Sequence, residues 1–443
     1  MGGHLKEMHP QIDFRQLPFW HRLLRRLPVP EGGKAYIVGG WVRDLLYFGH
    51  PCKLDMDWTL PGNAIEWARM ISDEFRVPVS SKTSLGTAKL AIVHEGVSIS
   101  FDLATCRKER YPVPGGLPRT MPASIEEDLL RRDFSINALA IPISFPVPEK
   151  AGLIDPCGGG WDLRQKKLRI LYGASFYDDP TRIFRSFRFQ HRLGLVFSDD
   201  TEDALGRERE SGSLFSVSRS RLWDELRNAI TEEDPLPIVY EWLVRRPWGK
   251  LLSLHDTGPR RQRLMRWFKF QKDVPFFFRH RKYNSELLFL LAFLYGLSRG
   301  EVKKALDLFG VPLRVRERIN GTLFQNDDTG VFHCFEERCT SEEESWWREA
   351  GRIAPESAYL LALRSPVERI GFWVRFFRFT EESHPLLTGE DLAREGISPS
   401  GKMGEILLEI RNLHRTGRLS SREEALEWVR SHMRSNGPVR PPG

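Results

Sequence analysis

Asp55 and Asp57 stand one residue apart in the run LDMDWTL (54–60), which reads as a β-strand. Side chains two positions apart on a strand project from one face, so both carboxylates point the same way. Two anions so placed repel unless a cation lies between them, and a hard divalent ion such as Mg2+ meets that need through oxygen ligands. Asp102, in SISFDLAT (98–105), offers a third carboxylate from another strand. Upstream, AYIV (35–38) runs into Gly39-Gly40 and then WVRDLLYF (41–48), a strand–turn–helix pattern. Glycines there let backbone N–H groups approach a phosphate, and a helix N-terminus adds favourable partial charge. A glycine pair, two paired aspartates and a third aspartate form the layout that two-metal phosphoryl transfer needs. One ion would lower the pKa of an attacking hydroxyl, and the other would hold a triphosphate and neutralise the leaving pyrophosphate.

The elements that must position these groups follow from hydrophobic spacing. AYIV, LDMDWTL, AKLAIV (88–93) and SISFDLAT read as strands, and WVRDLLYF and AIEWARMISDEF (64–75) as helices, giving an α/β unit over about residues 30–145. The Pro- and Gly-dense segment 143–162 predicts a boundary without regular structure. From about Leu171 the strand signal fades and helical periodicity takes over, in 178–195, 220–230, 285–297 and 423–433. A polar stretch, 320–332, separates a middle helical unit from a terminal one. The predicted class is α+β: a mixed-sheet first unit followed by helices.

Composition bounds the rest. The chain has 443 residues, room for two to four folding units, and no run of about twenty apolar residues, which excludes a membrane-spanning helix. Its first residues lack the charged head and apolar core of a secretion signal, and five cysteines at unrelated spacings point to a reducing compartment. His333, Cys334 and Cys339 lack a second ligand pair for zinc. No obligate protein partner is evident, and a cytoplasmic location is expected. A formal charge of +7 permits a polyanionic partner. From Arg245 to Lys282 the chain carries twelve Lys or Arg against two acids, interleaved with aromatics such as Trp267, Phe268 and Phe270. That pattern suits a phosphate backbone, and equally a solvated helix face with core aromatics.

At these residues the chain resembles a family. IVGGWVRDLL followed by LDMDWTL is similar to the signature of the nucleotidyltransferase superfamily that includes DNA polymerase β. EEDLLRRDFSINALAI (126–141) and FYDDPTRIFRSFRFQHRLGL (176–195) narrow the resemblance to the class II tRNA nucleotidyltransferases and bacterial poly(A) polymerases, and the segment 386–429 resembles the tail of CCA-adding enzymes. The resemblance implies a nucleotidyltransferase head (1–145), a helical neck that recognises the base (146–235), a helical body with RNA contacts (236–335) and a helical tail that binds tRNA (336–443). It implies CTP and ATP as substrates, a tRNA 3′ end as acceptor and Mg2+ as cofactor. Asp55, Asp57 and Asp102 match the metal-binding carboxylates. Gly39, Gly40 and Arg43 fall on the triphosphate-facing segment. Arg131, Arg132, Asp133 and Asn137 fall on the motif associated with ribose and triphosphate, and Asp179 and Arg182 on the pair that reads the base.

Hydrogen-bond chemistry supports that last pairing. Cytosine and adenine both set an amine donor beside a ring-nitrogen acceptor, which a carboxylate and a guanidinium complement. Uracil and guanine reverse the pattern. Arg182, Arg185, Arg188 and Arg192 form one helical stripe, which either faces nucleotide or tRNA or ties down neck acids. Phe184, Phe187 and Phe189 read as core. Arg43 could pair with Asp44, although a ligand role is expected for Arg43, and one arginine of Arg131-Arg132 is expected to be structural. Two departures from the family stand out: Asp178 replaces a Glu, and Ser220-Arg221 replaces a Glu-Arg pair. The segment 107–128, rich in Pro and Gly, fits a mobile loop that helps switch from C to A. The expected function is CCA addition. Alternatives are the partial activities (A-adding, CC-adding, poly(A) addition) and a non-catalytic RNA-binding protein.

Overall fold

The computed structural model describes residues 11–82, 86–211, 216–245, 285–325, 355–365, 369–382, 385–397, 401–415 and 418–435, with the single positions 262, 265, 346 and 350. The basic stretch 246–282, apart from 262 and 265, and the His333, Cys334 and Cys339 group lie outside the described residues. Chain contacts divide the protein into two compact units, Met1–Glu225 with Pro237–Leu252, and Leu226–Leu236 with Ser253–Gly443.

The first unit is organised on a six-stranded sheet. Its strands and their neighbours run β1 (Lys34–Val38), α1 (Gly40–Phe48), β2 (Asp55–Leu60), α2 (Ala64–Phe75), β3 (Val79–Lys82), β4 (Thr87–His94), β5 (Val97–Thr105), a hairpin of β6 (Arg107–Arg110) and β7 (Arg119–Pro122), α3 (Ile125–Leu130) and β8 (Ala140–Ser144). The sheet order is β3-β4-β5-β2-β1-β8, with β2 and β5 parallel and the other neighbours antiparallel. The four strands legible in the sequence form within two residues of their expected limits. β8 was not legible because Pro142 interrupts it, and it is tolerated because β8 is an edge strand, where a missing N–H need not join a ladder.

Alternation does the sorting of faces. On β2, Met56 and Trp58 enter the core while Asp55 and Asp57 stay outside. Trp58 meets Trp67 of α2 edge-on at 5.2 Å and Phe101 of β5 at 6.0 Å, so α2 covers the opposite face of the sheet from the aspartates. Asn63 starts α2 by accepting from Ile65 and Glu66 N–H at 3.1 and 3.3 Å, and a Ser124–Glu127 capping box starts α3.

The segment 143–162 departs from expectation. Lys150–Ala151 pairs with Ile12–Asp13, and a short helix, α4 (Gly159–Arg164), begins where no regular structure was expected. Asp155 starts it by accepting from Gly159 and Gly160 N–H at 2.7 and 2.9 Å. Glycine is required there: a Cβ on Gly159 would lie 2.0 Å from Ser135 O. After Leu171 the expectation of helices holds among the described residues except for Val196–Phe197, which pairs with Lys167–Leu168. The long helix α5 (Thr181–Leu193) buries Ile183, Phe184, Phe187, Phe189 and Leu193, so its phenylalanines are core as read. α6 (Arg219–Ile230) follows.

The second unit is helical where described. Its last three helices, Gly389–Arg394, Gly401–Arg415 and Arg422–Ser435, enclose a cluster of Leu387, Leu392, Ile397, Ile410, Leu419, Ala425 and Val429. Among the described residues no helix is long and apolar enough to cross a membrane.

Gly159→Ala is expected to lower stability by about 1–3 kcal/mol, because the added methyl must displace backbone. Gly206→Ala, in a helix with nothing within 4 Å of the new methyl, should be neutral or stabilising. Urea unfolding of both variants checks the contrast.

Candidate active site

Strand register brings the acids together. β2 and β5 run parallel with Asp57 directly beside Asp102, and Asp55 two positions back on the same face of β2. Asp57 reaches solvent at one edge yet is closely walled by protein. That crowding pushes its carboxyl above the usual range; Asp102 and Asp55 push the same way, and Arg132 and Lys89 oppose them. Lys89, opposite Asp102 on β4, donates from Nζ to Asp102 Oδ2 at 2.6 Å. Asp102 Oδ1 is buried and has no hydrogen-bond partner among the described residues. Among the described residues no three His, Cys, Asp or Glu side chains are drawn into a closed metal set. The donors nevertheless fit a hard divalent ion: an orphaned carboxylate oxygen beside a second carboxylate that is reluctant to ionise leaves a deficit that such a cation relieves.

Gly39 seals one side of this face. Its φ of 69° and ψ of −130° suit glycine, and a Cβ there would lie 3.0 Å from Arg132 Nη1 and 3.4 Å from Asp57 Oδ2. Its own N–H is taken by Leu139 O at 3.2 Å. The donors that α1 presents to a phosphate therefore begin at Gly40, where no side chain caps the helix.

The two arginines of the Arg131-Arg132 pair have different surroundings. Arg131 is tied down: it donates to Asp128 Oδ1 at 2.7 Å, Glu109 Oε1 at 3.0 Å and Arg107 O at 2.9 Å, fastening the hairpin to α3. Among the described residues Arg132 keeps one hydrogen bond, to Asp128 Oδ2 at 3.1 Å, and its buried Nε has no partner. Its guanidinium lies against Gly39 and, through it, the acid face. Asp128 is fully buried; burial opposes its charge, but Arg132 and Arg131 hold its carboxyl below the usual range.

Arg43, for which a ligand role is expected, has its donors engaged within the fold. Its guanidinium is 3% exposed, donating to Asp44 Oδ1 at 2.6 Å and to Asn137 Oδ1 at 2.7 Å. The structural pairing with Asp44 is what the fold adopts. Asn137 Nδ2 donates onward to Asp133 Oδ1 at 2.9 Å, and Asp133 Oδ2 takes Arg185 at 2.6 and 2.8 Å. Burial disfavours the Asp133 carboxylate, yet Arg185, Asn137 and Arg182 outweigh it and hold the group far below its ordinary value. Asp133 and Asn137 thus serve the scaffold, with both their polar ends engaged. The arginine stripe does the same: Arg185 and Arg188 each lie 3.9 Å from Glu225 of α6, and Arg192 bonds Asp44 Oδ2 at 3.0 Å.

Arg182 N–H donates to Asp179 O at 3.0 Å, but the two side chains do not bond each other. Asp179 Oδ1 accepts from Thr181 N at 3.1 Å, Thr181 Oγ1 at 2.6 Å and Arg221 Nη2 at 2.6 Å, while Oδ2 has no partner among the described residues. Arg182 is buried between the rings of Tyr111 and Tyr172, 5.9 and 5.8 Å away, and donates to Ser175 Oγ at 2.7 Å and Arg131 O at 2.9 Å. Arg221, Tyr111, Tyr172, Glu225, Asp128 and Lys89 were missed by sequence reasoning. Only Arg221 carried a signal, as the arginine kept where its neighbouring acid is lost.

The segment 107–128 is more ordered than a mobile loop. Its flanks pair as β6 and β7, and its tip is fastened: Gly115 N–H donates to Asp178 O at 3.0 Å and Gly115 O accepts from Arg221 Nη1 at 3.2 Å. Beside it a cavity of about 480 Å3 is lined by residues that include Glu109, Tyr111, Leu130, Arg131, Tyr172 and Asp178.

Residues 35–169 match the model of the Poly A polymerase head domain. The chain is 35% identical over 287 residues to an A-adding tRNA nucleotidyltransferase of Aquifex aeolicus, covering 64% of this chain and 34% of that protein. It is 28% identical over 411 residues to an A-adding tRNA nucleotidyltransferase of Halalkalibacterium halodurans, covering 91% and 90% of the two chains. A solved CCA-adding enzyme, in its apo form II, matches with a TM-score of 0.68 at 25% identity over 96% of this chain and 100% of that one. The chain thus spans about a third of the Aquifex relative and nearly all of the other two. With the acid pair in register beside the glycine turn, these likenesses identify residues 35–169 as a Poly A polymerase head domain, and over most of its length the chain is similar to proteins named as A-adding tRNA nucleotidyltransferases and CCA-adding enzymes.

Proposed function

We propose that the chain is a template-independent tRNA nucleotidyltransferase that adds CCA to tRNA 3′ ends from CTP and ATP, releasing pyrophosphate. The observation that carries this reading is Asp57 beside Asp102 in register, next to Gly39 and Arg132, with Asp102 Oδ1 buried and unpaired. Asp55, Asp57 and Asp102 would hold Mg2+, which when bound supplies a lowered pKa for the attacking 3′-hydroxyl and neutralisation of the leaving pyrophosphate.

The chain's own groups would do the rest. The uncapped start of α1 offers N–H donors to the triphosphate, and Arg132 adds a cation whose single acidic partner leaves donors to spare. Lys89 would hold Asp102 in place and yield its oxygen to a stronger cation. Asp179 Oδ2 is the acceptor for the exocyclic amine of cytosine or adenine, and Arg182 the donor to the ring nitrogen. Each unpaired polar group left by uracil or guanine costs about 1–3 kcal/mol. On this reading residues 1–145 are the head, 146–235 the neck, 236–335 the body and 336–443 the tail, working on tRNA in the cytoplasm without a membrane or an obligate protein partner.

A second reading, addition of the terminal A alone, is favoured by the names of the Aquifex and Halalkalibacterium relatives. Transcripts ending in the discriminator base, C or CC, each incubated with one labelled nucleotide, separate the two: C incorporation on the first two supports CCA addition, and A incorporation on the CC transcript alone supports the other.

Asp55→Ala and Asp57→Ala are expected to lower transfer at least about a thousandfold while tRNA affinity survives, as filter binding reads. Asp179→Ala should relax rejection of UTP, read as the ratio of UTP to ATP incorporation. The Asp57 carboxyl is raised in the folded state, so its contribution favours folding below the unfolded pKa and is lost as pH rises through the folded value. Asp57→Asn should therefore raise Tm at neutral pH without metal. Mg2+ should raise the Tm of the parent at pH 7.5, raise it less as the pH falls into the carboxylate range, and leave Asp57→Asn nearly unmoved. Thermal unfolding with and without MgCl2 across that range checks all three.

A further inference from the structure

Helix α4 carries an indole on the outside of a rigid turn. Asp162 and Leu163 face inward, buried, with Asp162 bonded to Ser135 Oγ at 2.5 Å and to Arg169 at 2.7 Å. The Gly159 contact with Ser135 and the Asp155 bonds to Gly159 and Gly160 allow the helix no other seat. Trp161 is consequently turned out of the core and left 60% exposed, the most open tryptophan among the described residues. A tryptophan so placed buries little of the apolar surface that usually justifies one.

Its neighbours are cations. Arg164 lies 5.5 Å over the ring, and Lys166 and Lys167 are exposed just beyond it, Lys166 in the left-handed backbone region at φ 54°. None of the three has an ion-pair partner among the described residues, and no acid occurs from Leu163 to Tyr177. The nearest acids in the chain, Asp155 and Asp162, are committed to α4's own backbone and to Arg169. The result is three unneutralised positive charges beside an exposed aromatic plane. α4 packs against the turn Ser135–Asn137 and against α1, the helix that the glycine turn starts.

We propose that Trp161, Arg164, Lys166 and Lys167 form an RNA-contacting surface, on which the indole stacks with an unpaired base and the cations take the flanking phosphates. Aromatic stacking together with unpaired cations is the chemistry of single-stranded nucleic-acid binding, whereas an acidic protein partner would not need the open ring face. The surface rests on the reading that the acceptor is RNA, and it uses none of the residues of the basic stretch 245–282. It adds a contact that anchors the acceptor on the head side.

The test uses the full chain and a fluorescein-labelled tRNA transcript lacking its terminal CCA, with anisotropy read at several salt concentrations. Trp161→Ala is expected to weaken binding about 5- to 100-fold. Lys166→Glu combined with Lys167→Glu should weaken it and flatten the slope of log affinity against log salt by about 1–2. Both variants should keep the parent's Tm, since the side chains are exposed, and should keep kcat for one nucleotide at saturating RNA while the KM for RNA rises. Affinities and salt slopes that superimpose on the parent's overturn the surface and leave the proposed function standing. A parent that binds no tRNA overturns the function and the surface together.

Discussion

One hydrogen-bonded run of charged side chains, joined through a single amide, holds the candidate-site side of the first unit together. Arg192 bonds Asp44, Asp44 bonds Arg43, Arg43 bonds Asn137, Asn137 bonds Asp133, Asp133 bonds Arg185, and Arg185 faces Glu225. It ties together α1, the turn 133–137, α5 and Glu225 on α6. Most of its members are buried, and a buried charge is tolerable only with a partner of opposite sign; losing one partner from such a pair costs about 3–5 kcal/mol. Each member therefore constrains the next. The run fixes where α1 begins, hence where Gly39 turns and which groups face the acids.

The same residue type meets opposite fates within this frame. Asp133 sits inside the run, and its cations keep it ionised well below the ordinary range, so it supports folding at neutral pH and loses that contribution only on strong acidification. Asp57 is also crowded by protein but lies beside two other acids, and its carboxyl moves up. A scaffold carboxylate is satisfied by the chain, while Asp57 and Asp102 Oδ1 are left with a deficit. That asymmetry separates residues that build the site from residues that need something brought to it.

The arginines divide by the same logic. Arg43, Arg131 and Arg185 spend their donors on neighbouring acids, amides and carbonyls, and Arg132 alone of the head's motif arginines keeps a buried nitrogen unpaired. Their spacing could not show this. Glu225 lies 37 residues or more from the arginines it faces, and Asp44 lies 148 from Arg192, so no local pattern announces either pairing. Arg221 reaches both Asp179 and the hairpin tip, a junction of three segments far apart in the chain.

By itself the sequence determined the elements and the faces of its strands. A two-residue alternation puts Met56 and Trp58 inward and Asp55 and Asp57 outward whatever else the chain does, and the helical repeat buries Phe184 and Phe187 just as firmly. It also determined which residue types could bind a cation or a phosphate. Only the tertiary structure decided which of them remain available. The parallel register sets Asp57 beside Asp102, the edge position admits Pro142, and the buried run of charge consumes Arg43, Asp133 and Asn137. The reason is physical: periodicity is a property of neighbours along the chain, whereas the neutralisation of a buried charge depends on whatever folding brings within about 3 Å of it.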